Sequence, residues 1–200
     1  IPRKFPLERL SNRAQILRGP IAVGSPGNLA GWCEMVGTYG TKKLPELFAP
    51  AIGIARDGFG LIEFNVEEIG SAAPELRGQA KLYPEWSRTY LEGIGGGRPA
   101  LGAVLKQPDL ARTLEALATE GPGLMYGGAL GKKVIERLVE LGGCLTMDDL
   151  MDTKADWIDP VSVSYRGRTI HAPPPPCEAF QFLLALRILE GFDLGKMPHN

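Results

Sequence analysis

Hydrophobic positions recur along this chain with two different periods, and the change of period marks its elements. Val161, Val163 and Tyr165 alternate with Ser162, Ser164 and Arg166, which is the period of a strand. Arg166-Gly167 supplies a turn before the short run Thr169-Ile170-His171-Ala172, so residues 160–172 are predicted to form a two-stranded hairpin. Four consecutive prolines then occupy 173–176. They can neither donate to a ladder nor continue a helix, and they predict a stiff polyproline strap rising about 3 Å per residue. From Cys177 to Glu190 the polar residues are Glu178, Gln181, Arg187 and Glu190, which share no face. A helix apolar over most of its circumference is predicted to be buried on several sides.

Upstream the helical period dominates. Residues 19–27, a short apolar run bounded by Gly and Pro, are predicted as a buried strand and a turn. Asn28 is then placed to cap a helix carrying Leu29, Trp32, Cys33, Met35 and Val36, closed at Gly37 or Gly40. Pro45 opens a second helix through Leu47, Phe48, Ile52 and Ile54 to Asp57-Gly58, and the two helices are expected to pair. Residues 61–72 predict a further helix. From 73 to 105 the pattern dissolves into Pro, Gly and isolated aromatics and predicts mostly loop. Gln107-Pro108-Asp109 opens the next helix, which runs through Leu110, Leu114 and Leu117 to Gly121. Residues 126–141 form another, and Thr146 with Asp149 fits a capping box for a short one. No internal repeat is present. The fold class expected is α+β, in one domain segment spanning 1–200, with residues 1–18 as a solvated lead-in and 19–200 as the folded region.

Composition narrows the classes of partner. With 44% hydrophobic residues in 200, the chain is long enough for a core of its own. A net charge of -1 leaves no electrostatic footprint for nucleic acid or an anionic membrane surface. The apolar run around Phe180 to Leu189 is interrupted by Gln181 and Arg187, so no membrane span is predicted. Cys33, Cys144 and Cys177 lie far apart with no CxxC and are expected as buried free thiols. Ile1 at the start, and Lys196 to Asn200 without a cap or polar tail, are expected of a segment or processed product of a longer chain. Periplasmic, secreted and cytoplasmic locations all remain compatible.

The candidate chemistry is sparse. His171 and Cys177 invite a base and a thiol nucleophile, but six steps of polyproline would hold them on the order of 19 Å apart, beyond hydrogen-bond reach. His199 is a more distant base. Gly93-Ile-Gly-Gly-Gly97 is not a GxGxxG fingerprint. Gly127-Gly-Ala-Leu-Gly-Lys-Lys133 has the wrong glycine spacing for a P-loop, with Lys133 where the hydroxyl belongs, and both read as turns. Asp148, Asp149 and Asp152 read as capping and solvated carboxylates. With two histidines and no ligand-spaced cluster, no metal site is expected. No residue is therefore assigned a catalytic, cofactor-binding or metal-binding role, and no cofactor is expected.

Several stretches, taken in order, nonetheless resemble the large subunit of gamma-glutamyltranspeptidases, members of the N-terminal-nucleophile hydrolase superfamily. They are Gly19-Pro-Ile-Ala-Val-Gly-Ser-Pro-Gly27 with Leu29-Ala-Gly31, Leu47-Phe-Ala-Pro-Ala-Ile52 with Ala55-Arg-Asp-Gly-Phe59, and Gln107-Pro-Asp-Leu-Ala-Arg-Thr-Leu114. Glu120-Gly-Pro with Tyr126-Gly-Gly, Gly142-Gly143 with Leu145-Thr-Met-Asp-Asp-Leu150, and Pro160 to Gly167 with the proline run and its helix complete the set. The resemblance covers roughly residues 18–200. It implies the helix-rich large-subunit part of an αββα sandwich built from two chains cut from one precursor.

In that family the new N-terminal Thr of the small chain attacks a gamma-glutamyl amide, its own α-amine serving as base. The resemblance thus implies a partner chain carrying that Thr and a small amide substrate. It places the substrate-carboxylate arginine upstream of Ile1. Thr146, Thr153 and Thr169 lie inside elements and present no free α-amine. Where the family commonly has Ser-Ser-Gly-Gly after the prolines, this chain has Cys177-Glu178-Ala179-Phe180. That departure weakens an expectation of glutathione specificity, since the same scaffold serves acylases and other amidohydrolases. The rival reading is a scaffold or binding protein that kept the fold and lost the chemistry. A free-standing cysteine enzyme is the third, and it requires Cys177→Ala to abolish an activity of this chain alone.

The apolar helix also sets an expectation for the isolated segment. Produced alone, it should expose apolar surface and associate with concentration; sedimentation yielding a monodisperse monomer, with a sharp cooperative melt, would contradict this.

Overall fold

The computed structural model describes Phe5, Glu8 and residues 19–78, 83–94 and 99–197. The predicted lead-in thus lies almost wholly outside the described residues. The chain divides into two compact units, residues 1–155 and 156–200.

The first unit is helical. In chain order it contains α1 (Asn28–Tyr39), α2 (Leu44–Asp57), β1 (Phe59–Gly60), α3 (Glu63–Gly78), α4 (Pro84–Tyr90), β2 (Val104–Leu105), α5 (Pro108–Glu120), α6 (Ala129–Glu140) and α7 (Met147–Met151). The predicted buried strand at 19–27 is absent. Pro20–Ala22 forms one 3-10 turn instead, Ile21 alone reaches the interior, and no strand among the described residues pairs with it. Asn28 does not cap α1: it is the first helical residue, behind Gly27, which makes no side-chain cap hydrogen bond. The expected pairing of α1 with α2 is likewise replaced. The principal partner of α2 is α5, and a two-stranded antiparallel ladder, Phe59 opposite Leu105 and Gly60 opposite Val104, ties the C-terminal end of α2 to the N-terminal end of α5. The Gln107 N–H donates to Ala55 O at 2.8 Å and seals the same corner.

The region from 73 to 105 is more ordered than its composition predicts. Helix α3 continues to Gly78, and α4 begins with Pro84 at its first position, where a missing N–H is harmless. Trp86 and Tyr90 stand one turn apart with ring centroids 5.7 Å from each other. They pack against the buried cluster of Leu61, Ile69, Ala73, Leu91 and Leu105. The aromatics that look isolated in sequence are one helical face.

A second cluster, Leu138, Leu145 and Leu150, joins α6 to α7, with Val134, Ile135 and Tyr126 against it. Gly131, Val134, Ile135 and Leu138 form a single stripe on α6. That helix starts at Ala129, three residues later than predicted, because Gly127 is in the left-handed region at φ 107° and Gly128 is extended. The capping box is present: Asp149 N–H donates to Thr146 Oγ1 at 3.3 Å, and Thr146 N–H donates to Asp149 Oδ2 at 2.9 Å.

The second unit contains β3 (Val161–Tyr165), β4 (Arg168–Ala172) and α8 (Ala179–Leu189). The hairpin has the expected register, Val161 opposite Ala172 through Tyr165 opposite Arg168. Its turn places Arg166 at φ 48° and Gly167 at φ 76°, the signs of a type I′ connection. The Arg166 N–H donates to Glu190 Oε1 at 3.1 Å, fixing that turn to the end of α8.

The proline run is not the straight strap expected. Pro175-Pro176 is cis, and Cys177 N–H donates to Pro174 O at 3.2 Å, closing a type VI turn that delays the helix to Ala179. The α8 helix packs on β3 and β4 but buries only Leu183, while Phe180, Phe182, Leu184 and Ile188 are exposed. Burial on several sides is therefore not achieved within the unit, because two strands cover one stripe of the helix.

The Leu138–Leu145–Leu150 cluster gives a direct test. Leu150 is fully buried, so Leu150→Ala is expected to destabilise the first unit by about 2–5 kcal/mol in denaturant unfolding. Leu101→Ala, at an exposed position, is expected to stay within about 0.5 kcal/mol.

Candidate functional site

The most organised polar constellation lies where α1 meets the turn before α6. Helix α1 has no cap from its own N-terminal side chain, which leaves its first amides to be satisfied elsewhere. Tyr126 does this from nearly a hundred residues away. The Ala30 N–H donates to Tyr126 Oη at 3.0 Å, and the Tyr126 hydroxyl donates to Pro26 O at 2.5 Å. Burial pushes the Tyr126 hydroxyl up from its ordinary range; the Ala30 amide opposes that shift and nearby Cys33 adds to it. The ring is anchored in the α6–α7 cluster. Beside it, Ser25 Oγ donates to Asp149 O at 3.3 Å. Asp149 is 7% exposed and accepts from the Thr146 hydroxyl at 2.6 Å, so its charge is buried with donors aimed at it. This arrangement holds backbone. A reactive atom placed on a substrate is not part of it.

The glycines of 127–133 have a similar explanation. A Cβ at Gly131 would lie 2.0 Å from Met125 O, and one at Gly128 2.5 Å from Gly123 O. The motif lets backbone pack on backbone, and the space a phosphate would need is filled. Gly93–Gly97 extends beyond the described residues, as does His199.

The remaining sequence candidates are scattered. His171 sits on the polar outer face of the hairpin, opposite Ser162. Cys177 is exposed, and the type VI turn removes the stiff strap on which their separation was predicted. Cys33 and Cys144 are free thiols, half-buried rather than buried as expected. Thr146 caps α7, Thr153 Oγ1 donates to Asp149 O at 2.9 Å, and Thr169 lies within β4. Asp148 lies in the first turn of α7 and Asp152 at its C-cap. Among the described residues no group of three His, Cys, Asp or Glu side chains is placed to hold a metal ion, and no helix is long and apolar enough to cross a membrane.

Among the described residues of the first unit, two open grooves mark the surface. One of about 400 Å³ lies between α5 and α6, with Asp109, Arg112, Thr113 and Lys133 on its walls. Arg88 reaches Asp109 at 3.2 Å and Arg112 also pairs with it, while Thr113 Oγ1 donates back to Asp109 O within its own helix. The other groove, of about 320 Å³, is mostly apolar, bounded by Met35, Tyr39 and Leu47. Neither brings a nucleophile within reach of a base. What sequence reasoning misses is the role of Tyr126, which enters as the start of a helix and within the Tyr126-Gly-Gly stretch of the family resemblance; a tyrosine ahead of two glycines, with an uncapped helix elsewhere, is the available signal.

Residues 3–200 match the family described as Gamma-glutamyltranspeptidase. The chain belongs to that family. Its α+β fold is accordingly that of the gamma-glutamyltranspeptidases and acylases of the N-terminal-nucleophile hydrolase superfamily. It is 34% identical over 192 residues to the acylase ACY 1 proenzyme of Pseudomonas sp. (strain SE83), covering 95% of this chain and 33% of that protein. It is 31% identical over 182 residues to the glutathione hydrolase proenzyme of Escherichia coli (strain K12), covering 90% and 30%. The crystal structure of Helicobacter pylori gamma-glutamyltranspeptidase superimposes with a TM-score of 0.78 at 29% identity, over 94% of this chain and 53% of that one. The chain thus spans about a third of the length of these curated relatives. Gamma-glutamyltranspeptidase relatives therefore include both acylases and glutathione hydrolases at comparable identity.

The thiols of this gamma-glutamyltranspeptidase homologue offer a check on the placement of α1. Cys177 is exposed, whereas burial pushes the Cys33 thiol up. Since the thiolate is the reactive form, alkylation followed by peptide mass spectrometry should label Cys177 first. The pH midpoint for Cys33 should lie above that of a free peptide thiol.

Proposed function

We propose that this chain is the non-nucleophilic large-subunit part of a gamma-glutamyltranspeptidase-like amidohydrolase, supplying walls and packing for a site whose nucleophile is carried by another chain. The observation that carries the reading is α8. A helix of Phe180, Phe182, Leu183, Leu184, Leu186 and Ile188 that buries only Leu183 is built for neighbours beyond this chain's own hairpin. Thr146, Thr153 and Thr169 agree with it, since they lie inside the chain at a helix cap, just past the end of that helix and within β4, and none of the three offers a free α-amine.

In the chemistry proposed, the N-terminal Thr hydroxyl of a small subunit attacks the carbonyl of a gamma-glutamyl or related amide. Its α-amine takes the hydroxyl proton and passes it to the departing amine. Water or an acceptor amine then releases the acyl group, and neither a metal nor a redox cofactor is required. The two units described here are segments of the one larger domain that such an enzyme forms.

Assaying the complete protein with a gamma-glutamyl anilide and with plain amides is the decisive experiment, read beside the intact mass of every polypeptide in the sample. Turnover of one substrate class, together with a second chain beginning with Thr, is the expected result. Absence of turnover of either class, with the matured Thr present, sinks the enzymatic reading.

A further inference from the structure

Between the 3-10 turn Pro20–Ala22 and α1, residues 23–27 form a short strap whose attachments are few and specific. Among the described residues, the backbone of 23–26 makes no backbone-to-backbone hydrogen bond. The strap is held by two side-chain links, Tyr126 Oη–H to Pro26 O and Ser25 Oγ–H to Asp149 O. Val23, Gly24, Pro26 and Gly27 are all exposed.

Gly24, at its start, is not explained by this conformation, whereas Gly27 is the N-cap of α1, a position glycine favours, and its carbonyl accepts from Gly31 N–H at 3.1 Å. A Cβ at Gly24 or at Gly27 would meet nothing within 4 Å, and neither residue has a positive φ; Gly27 is at φ -82°, ψ -18°. Glycine where neither space nor dihedral requires it adds only backbone freedom. Gly24 is such a position, and it precedes Ser25-Pro26, a stiff pair whose side chain and carbonyl are the points of attachment.

We infer that residues 23–27 form a hinged strap, latched over the start of α1 by the Tyr126 hydroxyl and by Ser25, with a second, unlatched conformation that Gly24 makes accessible. The same hydroxyl both accepts from Ala30 N–H and donates to Pro26 O. Unlatching therefore frees the strap and uncaps α1 in one event, which couples the conformation of the strap to the first turn of that helix. The inference concerns a device of the fold and stands independently of the proposed reaction.

Residue-resolved amide hydrogen exchange of the complete protein tests it with two variants. Tyr126→Phe keeps the ring in its cluster and removes only the hydroxyl. It should accelerate exchange at Ala30 by about fivefold or more, the size of one lost hydrogen bond, with α5 and the body of α6 unchanged. Gly24→Ala should slow exchange at Ala30, because alanine narrows the states open to the strap, and Gly27 is left in place as the N-cap of α1. Unaltered exchange at Ala30 in Tyr126→Phe overturns the latch, and uniform acceleration through α5 and α6 reduces Tyr126 to a packing residue. A Gly24→Ala variant that exchanges like the parent overturns the hinge.

Discussion

Two paired strands can cover one stripe of a helix, and α8 is apolar around most of its circumference. That mismatch governs the second unit. Strands lie about 5 Å apart, and an eleven-residue helix is about 16 Å long with side chains on every side. The inner face of the hairpin, with Val161, Val163, Tyr165 and Ile170, takes Leu183, and there is no more sheet to offer. Phe180, Phe182, Leu184 and Ile188 stay in solvent although nothing in their chemistry belongs there. The hairpin itself resolves its two faces correctly. Ser162, Ser164, Thr169 and His171 point outward, so its pattern is complete where the helix's is not. Trp157, Ile158 and Phe192, which flank the hairpin and α8 in sequence, are exposed in the same unit as well.

In the first unit α6 solves the same burial problem locally. Its narrow apolar stripe of Gly131, Val134, Ile135 and Leu138 matches α7 and the turn before α6, whereas Trp32, Met35 and Tyr39 of α1 are exposed. Where no side chain fits, backbone approaches backbone: Gly131 against Met125 O leaves no room even for a methyl group. A substituent there would have to displace main chain rather than a rotamer, so the start of α6 is fixed by steric exclusion as much as by hydrogen bonds. Tyr126 inherits that rigidity. Its ring is held by the cluster and its hydroxyl delivers a fixed partner to α1, which has none of its own.

Elements whose signals are local were legible in the sequence. The hairpin with its Arg166-Gly167 turn, the Thr146–Asp149 capping box, α2 with Pro45 in its first turn, and α5 between Pro108 and Gly121 all depend on residues within a few positions of one another. The failures are of another kind. Residues 19–27 look like a strand because a strand's composition does not say whether a partner strand exists, and here none does among the described residues. The order in 83–94 comes from Trp86 and Tyr90 finding Leu61 and Leu105, separations that periodicity cannot register. The proline run was read as straight because polyproline geometry is the local default, whereas the chain closes a turn at Cys177. The absence of a local catalytic set was read from residue types, while the link from Tyr126 to Pro26 and Ala30 is a contact across about half the chain and left only a faint trace, an uncapped helix.

The start of α8 is where local preference and actual sequence part most clearly. Glu178 occupies the N-cap without a side-chain hydrogen bond to the helix, at a position where Ser, Thr, Asp or Asn would satisfy an amide. Cys177 and Phe180, on either side, are exposed, and Phe180 adds a large apolar surface to a helix that already has too much. None of these three residues is what the stability of α8 asks for. Broken local rules of this kind, with no compensating gain nearby, are expected where a sequence serves a site or an interface. The same four positions, 177–180, depart from the small-residue pattern that the family resemblance leads one to expect.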